Sequence, residues 1–226
     1  MTAITKKELA KMIDHSLLNL VVSKKDTVEG IEVALEYDVA AVTIKPVWVR
    51  LAAELCRGTD VLVNPVICFP FGYDTTETKI FATRQAIEDG AGEIDMVMNL
   101  GLFLGGEDDL VQADMQAVVT AAQGAPVKVI FETAYFNTDE MLIRACRLAE
   151  AAGVSFVKTS SGFAPSGYTL HQLKVMREAV SEKIQVKAAQ GVRSLEDALA
   201  VRELGITRFG ATRTREIMRQ WEERFG

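Results

Sequence analysis

Cysteine and histidine are scarce in this sequence, and their scarcity restricts the kinds of site that the chain can build. Three cysteines and two histidines occur among 226 residues. Cys56, Cys68 and Cys146 are far apart, odd in number and embedded in apolar stretches, so they indicate neither a disulfide framework nor a metal site. His15 and His171 fall on distant parts of the predicted fold and do not suggest a metal pair. We predict reduced cysteines, no metal and a cytoplasmic protein.

Blocks of positive charge and long apolar runs are also absent. The 25 Lys and Arg residues are scattered and outnumbered by 31 Asp and Glu, which gives a net charge of −6. This balance disfavours nucleic acid or an anionic membrane as the main partner. No apolar run approaches the ~20 residues of a membrane span, and residues 1–8 lack the apolar core of a signal peptide. No linker or low-complexity segment divides the chain, so we predict one domain covering residues 1–226.

Two patterns alternate regularly along the chain. Short apolar runs, typical of strands covered on both faces, alternate with stretches of helical periodicity. The strand-like runs lie near residues 12–18, 40–44, 61–68, 93–98, 126–131, 154–159, 184–188 and 206–210. The helix-like stretches lie near residues 26–37, 46–57, 75–90, 107–123, 138–152, 169–181, 194–204 and 212–223. We predict that Asp26 and Ser194 cap helices, and that Gly90, Gly153 and Gly205 end them.

Eight strand–helix units in a chain of this length are the count of a (β/α)8 barrel. We therefore predict an α/β protein with a single TIM barrel. An open, doubly wound sheet is the alternative. The Gly-rich dinucleotide loop that such a sheet would carry after its first strand is absent, since residues 14–18 read Asp-His-Ser-Leu-Leu. Residues 101–106 are predicted to form a loop after the fourth strand.

Ionisable side chains interrupt three of the predicted buried strands. Lys158 follows the apolar residues 154–157, Lys187 ends a second run, and Asp95 lies inside a third. A buried charge is costly without a partner of opposite charge, and an unpartnered lysine tends to lose its proton. Functional groups of a barrel gather at the C-terminal ends of its strands. We place these three residues there, together with Asp14, Asn99, Lys128 and Glu132.

Two lysines on adjacent strands would lower each other's pKa. A fall of ~3 units from ~10.4 costs ~4 kcal/mol, which buried neighbours can supply. One lysine would then be neutral enough to form a Schiff base. Asp95 would keep Lys187 charged and transfer protons through water. The alternative is a buried Lys–Asp pair that only fixes the geometry of the barrel, although apolar residues would do so at less cost to stability.

Several segments resemble one enzyme family along nearly the whole chain. They read MIDHSLL at 12–18, FPFG at 69–72, GAGEIDMVMN at 90–99, KVIFET at 128–133, FVKTSSGF at 156–163 and VKAA at 186–189. Together they resemble the 2-deoxyribose-5-phosphate aldolases, a family of class I aldolases. The resemblance implies reversible cleavage of 2-deoxy-D-ribose 5-phosphate to D-glyceraldehyde 3-phosphate and acetaldehyde, without metal or other cofactor. It also implies deoxyribonucleotide catabolism in a homo-oligomer, a dimer or a tetramer.

The resemblance also implies roles for particular residues. Lys158 resembles the Schiff-base lysine, Lys187 the second lysine that perturbs it, and Asp95 the acid/base that works with Lys187. The substrate-binding residues that it implies, or that lie beside them in the sequence, are Asp14, Lys128, Ser160, Gly162, Gln190, Gly191, Arg193, Gly210, Thr212 and Arg213.

The predicted phosphate end departs from the family. Where the family reads A-G-G-[IV]-R after strand 7, this chain has Gln190 in place of the first glycine, and Arg213 replaces a small residue after strand 8. Helix N-termini at these loops would still favour an anion, and Arg213 would add a bidentate grip. Alternatively, both side chains fill the pocket and redirect the enzyme to a different small aldehyde or sugar substrate. A non-catalytic barrel that binds a sugar phosphate is the third alternative.

Overall fold

Eight parallel strands close into a barrel in the order in which they occur along the chain. The computed structural model describes residues 4–226. The strands are β1 (Ile13–Ser16), β2 (Ala41–Ile44), β3 (Leu62–Ile67), β4 (Ile94–Val97), β5 (Val127–Ile130), β6 (Phe156–Lys158), β7 (Gln185–Ala188) and β8 (Arg208–Ala211). Each overlaps the run predicted for it, so the (β/α)8 barrel is confirmed. The predicted domain also includes residues 1–3, which lie outside the described residues.

Helices connect successive strands. They are α1 (Lys6–Ala10), α2 (Lys24–Glu36), α3 (Val49–Leu55), α4 (Thr76–Glu88), α5 (Leu100–Gly105), α6 (Asp108–Ala121), α7 (Asp139–Ala151), α8 (Leu170–Ala179), α9 (Leu195–Glu203) and α10 (Thr214–Phe225). Short 3₁₀ helices occupy Pro46–Trp48 and Thr133–Tyr135. No helix within residues 4–226 has both the length and the apolar character that crossing a membrane requires.

The structure corrects two predictions about local structure. Residues 100–105 form helix α5, not the predicted loop, because the Asn99 side chain accepts the Leu102 N–H at 3.2 Å and Phe103 is fully buried. Helix α2 is capped by Ser23 instead of Asp26. Asp26 is the third residue of that helix and accepts the Ser23 N–H at 2.8 Å, which completes a capping box.

The predicted helix ends at Gly90, Gly153 and Gly205 are confirmed. Their φ angles are +103°, +80° and +76°, the left-handed region that glycine adopts without steric cost. Each glycine lies shortly after the last helical residue and before the next strand. The predicted cap at Ser194 is also confirmed, since its hydroxyl accepts the Asp197 N–H at 3.2 Å.

Charged side chains fill the interior of the barrel, where TIM barrels usually carry apolar ones. Those that are 0% exposed are Asp14, Asp95, Lys128 and Lys187. We predicted that these four residues end their strands, and this is wrong, because each lies inside a four-residue strand. Lys158 does end its strand, β6. Side chains of a strand alternate between its two faces. Inward positions therefore form layers at several depths, and the charges occupy more than the rim.

A second buried ion pair lies outside the barrel, between α4 and α6. Lys79 is 0% exposed, and its Nζ donates to Asp114 Oδ2 at 2.6 Å and to the Val97 carbonyl oxygen at 3.2 Å. Thr76 Oγ1 donates to the other carboxylate oxygen at 2.8 Å. This pair therefore ties two helices to the C-terminal end of β4.

Cys56, Cys68 and Cys146 are free thiols, of which Cys56 and Cys146 are buried and Cys68 is partly exposed. Trp221 is half-buried, and its indole N–H donates to the Ile4 carbonyl oxygen at 2.8 Å. Trp221 thus belongs to the packing between the C-terminal helix and the N-terminal segment.

Candidate active site

Lys158, the last residue of β6, is buried beside a carboxylate. Its side chain is 3% exposed, and its Nζ donates to Asp95 Oδ2 at 2.5 Å. Burial lowers the pKa of Lys158 to about 8 because it disfavours the charged ammonium. Asp95 acts against this lowering, and the nearby Lys187 adds to it. A substantial fraction of Lys158 is consequently a neutral amine near pH 8, the form that attacks a carbonyl.

Lys187 lies beside Lys158 on the neighbouring strand, and its pKa is shifted in the opposite direction. The two residues pair in register between β6 and β7. Lys187 Nζ lies 2.9 Å from Asp95 Oδ2 and 2.5 Å from Asp14 Oδ2. Burial alone would lower the pKa of Lys187, but Asp14 and Asp95 outweigh it and raise that pKa. Lys158, whose pKa is lowered, and Lys187, whose pKa is raised, therefore contact the same oxygen, Asp95 Oδ2.

A deeper layer of charges supports this group, and two of its members were missed in the sequence. Arg208 donates to Asp14 Oδ1 at 2.7 Å and to both Glu93 oxygens at 3.2 Å. Lys128 Nζ donates to Glu93 Oε2 at 2.5 Å and lies 3.2 Å from Asp95 Oδ1. Glu93 could have been identified from the sequence, because it stands two residues before Asp95 and so faces the same side of the strand.

Counting the charges of this network favours a neutral Lys158. The cations are Lys128, Lys158, Lys187 and Arg208, and the carboxylates are Asp14, Glu93 and Asp95. Burial would raise the pKa of Asp14, but Lys187, Lys128 and Arg208 outweigh it and lower that pKa to about 2. Burial is likewise outweighed at Asp95 by Lys158, Lys187 and Lys128, which hold its pKa well below the usual range. With the carboxylates ionised, loss of one proton from Lys158 makes the charges equal.

A cavity of about 370 Å³ opens over the ends of β1, β6, β7 and β8, and the loop that follows Lys158 lines it although Lys158 itself does not. Of the predicted substrate-binding residues, it is lined by Gly162, Gln190, Gly191, Arg193, Gly210 and Thr212. Gly210 lies in β8, and the other five come from the loops that follow β6, β7 and β8. The structure thus gathers six predicted residues around one opening at the C-terminal face of the barrel.

Gln190 lies in the wall of this cavity, and its side chain contacts the loop after β6. Its φ is +64°, a left-handed conformation that costs a non-glycine residue about 1–2 kcal/mol. Its Nε2 donates to the Ala164 carbonyl oxygen at 3.1 Å, in the loop after β6. The loop approaches closely at Gly167, where an added Cβ would lie 1.6 Å from the Gln190 carbonyl oxygen. Gln190 therefore ties two loops together and leaves the cavity open.

Four predicted substrate-binding residues do not line the cavity. Asp14 and Lys128 lie in the charge network beneath it, and Ser160 is fully buried next to Lys158 in the chain. Arg213 lies in a separate groove with residues of α2, among them Asp26 and Glu29. Thr212 lines both this groove and the cavity, whereas Arg213 lines only the groove, together with His15. This placement does not support the predicted grip of Arg213 on a substrate anion.

Glu132 is a further residue at the barrel mouth and is 6% exposed. Its φ is +58°, and its Oε1 accepts the Ser161 N–H at 2.5 Å. Burial raises the pKa of its carboxyl, although the Ser161 hydrogen bonds oppose this. Glu132 lines a second cavity of about 170 Å³ with Tyr135 and Phe163. It therefore holds the start of the loop that separates the two cavities.

Comparisons with known proteins agree on one family. Residues 9–219 match the family model described as DeoC/LacD family aldolase. The chain is 49% identical over 205 residues to a deoxyribose-phosphate aldolase of Geobacillus sp. (strain WCH70), covering 90% of this chain and 92% of that protein. It is 46% identical over 212 residues to a deoxyribose-phosphate aldolase of Streptococcus sanguinis (strain SK36), covering 94% and 96%.

Solved structures show the same similarity. A structure described as QR15, an aldolase, superposes with a TM-score of 0.91 at 34% identity, covering 96% of this chain and 97% of that one. The structure of a tetrameric deoxyribose phosphate aldolase from Aeropyrum pernix gives a TM-score of 0.89 at 26% identity, covering 96% and 92%. The fold is thus shared over nearly the entire length of each chain.

Proposed function

The chain belongs to the DeoC/LacD family of aldolases, and we propose that it is a class I aldolase, an aldehyde-lyase that reversibly cleaves 2-deoxy-D-ribose 5-phosphate to D-glyceraldehyde 3-phosphate and acetaldehyde. One observation carries the mechanism. Lys158 is a buried lysine whose pKa is lowered to about 8, and it lies 2.5 Å from Asp95, at the end of the strand whose following loop lines the cavity. Such an amine is suited to forming a Schiff base with a sugar aldehyde.

Imine formation begins with the neutral Lys158 amine. Its Nζ attacks C1 of the open-chain sugar, and the resulting carbinolamine loses water to give a protonated imine. Asp95 Oδ2 is the acceptor for the proton that leaves Lys158, since it lies within hydrogen-bond distance of both lysines. Lys187, kept charged by Asp14 and Asp95, can return a proton to the departing water.

Cleavage breaks the bond between C2 and C3. The C3 hydroxyl loses its proton, the C2–C3 electron pair moves into the imine, and C3 becomes the aldehyde carbon of glyceraldehyde 3-phosphate. An enamine remains on Lys158. Protonation of its C2 and hydrolysis of the imine then release acetaldehyde and restore the amine. Asp95 and Lys187 supply and accept these protons through water.

The loops after β7 and β8 form the end of the cavity suited to the phosphate. Helix α10 begins without a side-chain cap, so its first backbone N–H groups remain available to an anion. The folded Gln190 side chain leaves room for the phosphate. A Schiff-base aldolase for a different small aldehyde or sugar is the second candidate, favoured by the substitution of glycine by Gln190. A non-catalytic sugar-phosphate-binding barrel would make no use of the lowered pKa of Lys158.

The assembly and location of the protein are part of the proposal. A homo-oligomer is supported by the tetramer of the Aeropyrum pernix relative, whereas the cytoplasmic location is a prediction from the sequence. Exposed apolar side chains give such an assembly a surface to bury, among them Val21, Val47 and Phe81, which are 85%, 73% and 70% exposed.

Covalent trapping tests the proposed function directly. Acetaldehyde and borohydride should add a reduced adduct to Lys158, located by peptide mass spectrometry. Lys158→Met should lose both the adduct and deoxyribose 5-phosphate cleavage, whereas Lys174→Met, at an exposed lysine on α8, should lose neither. A folded wild-type protein without an adduct would rule out the Schiff-base mechanism. Unchanged saturable binding of the sugar phosphate by Lys158→Met, with no cleavage by the wild type, would favour the non-catalytic barrel.

A further inference from the structure

Asn64 contacts Asp95 at the oxygen that does not touch Lys158. It lies inside β3, and its side chain is 0% exposed. Its Nδ2 donates to Asp95 Oδ1 at 2.9 Å and to Thr43 Oγ1, on β2, at 3.1 Å. Thr43 and Asn64 are also paired in register between the two strands. A short chain of hydrogen bonds therefore runs from β2 through β3 to the Asp95 carboxylate on β4.

The orientation of this amide follows from its neighbours. The pKa of Asp95 lies well below the usual range, so its carboxylate is ionised and can only accept hydrogen bonds. The NH₂ group of Asn64 must therefore face Asp95, and Thr43 accepts its second hydrogen. At the other end, Asn64 Oδ1 is buried and has no hydrogen-bond partner among residues 4–226. A buried amide retained for stability alone would be expected to satisfy both ends.

The two oxygens of Asp95 have separate partners. Oδ2 accepts from Lys158 at 2.5 Å and from Lys187 at 2.9 Å. Oδ1 accepts from Asn64, and Lys128 Nζ lies 3.2 Å away from it. Without the Asn64 donor, Lys128 would be the remaining close partner of Oδ1. The carboxylate could then turn toward Lys128 and draw Oδ2 away from Lys158.

We propose that Asn64 is a positioning residue that holds the Asp95 carboxylate so that Oδ2 faces Lys158 and Lys187. This inference rests on the proposed function, since it concerns the proton transfers of the same Schiff base. The charged groups that face Asp95 or its lysine partners come from several strands and the loop after β5, and they are Asp14, Glu93, Lys128, Glu132, Lys158, Lys187 and Arg208. Asn64 is the neutral donor in direct contact with the carboxylate.

The test replaces Asn64 by leucine, which is similar in size and cannot donate a hydrogen bond. A small misplacement of a catalytic group can lower a rate by ~10²-fold, so kcat for sugar-phosphate cleavage should fall about 10- to 100-fold. KM should change less than about threefold, because the cavity loops do not contact Asn64. Loosening the Asp95–Lys158 contact should also lower the pKa of Lys158, so the pH midpoint of borohydride trapping should move down by at least ~0.5 unit.

Thr43→Val provides a second, milder variant. It removes the acceptor that anchors Asn64 and keeps the side-chain shape, so it should shift kcat and the trapping midpoint in the same direction by a smaller amount. If Asn64→Leu folds, as judged by its circular dichroism, and keeps kcat and the midpoint of the wild type, the positioning role is wrong. If that variant does not fold, an unchanged Thr43→Val would overturn the role and a shifted one would support it. Failure of the wild type to form an adduct would instead overturn the proposed function.

Discussion

At the scale of single residues, Lys158 and Lys187 show how similar side chains acquire different protonation states. Both are buried on adjacent strands at paired positions. Lys158 contacts the carboxylate of Asp95, whereas Lys187 contacts those of Asp95 and Asp14. The second carboxylate outweighs burial at Lys187, and its absence leaves Lys158 with the lowered pKa. The number of carboxylate partners therefore distinguishes the lysine with the lowered pKa from the one with the raised pKa.

The pH dependence of trapping follows from the pKa of Lys158, which is lowered to about 8. The neutral amine is the reactive form, so the rate of imine trapping with acetaldehyde should rise with pH and level off above about pH 8. In Asp95→Asn the carboxylate that raises this pKa is gone, so the midpoint should move lower. Cleavage should nevertheless fall by roughly 10²- to 10⁴-fold, as for loss of a general acid–base. A wild-type midpoint near the ordinary lysine value of ~10.4 would contradict this account.

The sequence reveals which residues are unusual but not how they pair. Lys158, Lys187 and Asp95 are recognisable because each interrupts an apolar run. Glu93 stands at the start of its run, where a charge is ordinary, and Arg208 follows the polar Thr207 in the run at 206–210, so neither charge interrupts an apolar stretch. Their contacts join positions as far apart as Arg208 and Asp14, which are 194 residues apart in the chain, and such contacts depend on barrel register.

At the scale of elements, the loops after β6 and β7 define the cavity as one unit. The Gln190 amide donates to Ala164, and Gly167 allows the two loops to approach closely. Glu132 holds the start of the β6 loop through the Ser161 N–H. Gln190, one of the two residues that depart from the family pattern, is thus part of the cavity wall and contacts the loop after β6.

Phosphate preference tests the cavity loops. We expect kcat/KM for deoxyribose 5-phosphate to exceed that for unphosphorylated deoxyribose by more than ~10-fold, because hydrogen bonds to a charged group contribute about 1.5–3 kcal/mol each. Arg213→Ala should leave this ratio within about threefold, since Arg213 lies outside the cavity. Equal kcat/KM values for the two sugars would instead favour a different small substrate. A large fall of the kcat/KM ratio in Arg213→Ala would support the contact between Arg213 and the substrate anion that the sequence predicted.

Helices were predictable where an amphipathic pattern extended over several turns. Helix α5 has six residues, all of them glycine or apolar and without helical periodicity, and it was missed. Its existence depends on the Asn99 cap and on burial of Phe103, which are a local and a tertiary contact. Helix α1 also escaped prediction, although Thr5 and Glu8 carry the spacing of a capping box.

At the scale of the whole molecule, the barrel was predictable because eight alternating units leave few other topologies for a single domain. How deep the charged side chains lie inside the barrel was not predictable. The strands stagger in a closed barrel, so a residue's position within its own run does not give its height relative to neighbouring strands. The expectation that all charges lie at the rim failed for this reason.

Stability should depend on the ion pair outside the barrel. Lys79→Met leaves Asp114 buried without its partner, and removing one member of a buried pair typically costs about 3–5 kcal/mol of unfolding free energy. The double variant Lys79→Met/Asp114→Leu should recover much of this loss, since no buried charge remains. Denaturant unfolding measures both. Activity per folded molecule should stay near wild type, and a Lys79→Met variant as stable as the wild type would contradict the argument.

The network inside the barrel is divided by sign between the two halves of the chain. Its carboxylates, Asp14, Glu93 and Asp95, all precede or belong to β1–β4, whereas Lys128, Lys158, Lys187 and Arg208 all belong to β5–β8. A half-barrel alone would hold like charges that repel one another in its interior. Joined, the halves neutralise each other across both seams. Each half of the ring is thus the electrostatic counterpart of the other, so the charge network is complete only in the closed barrel.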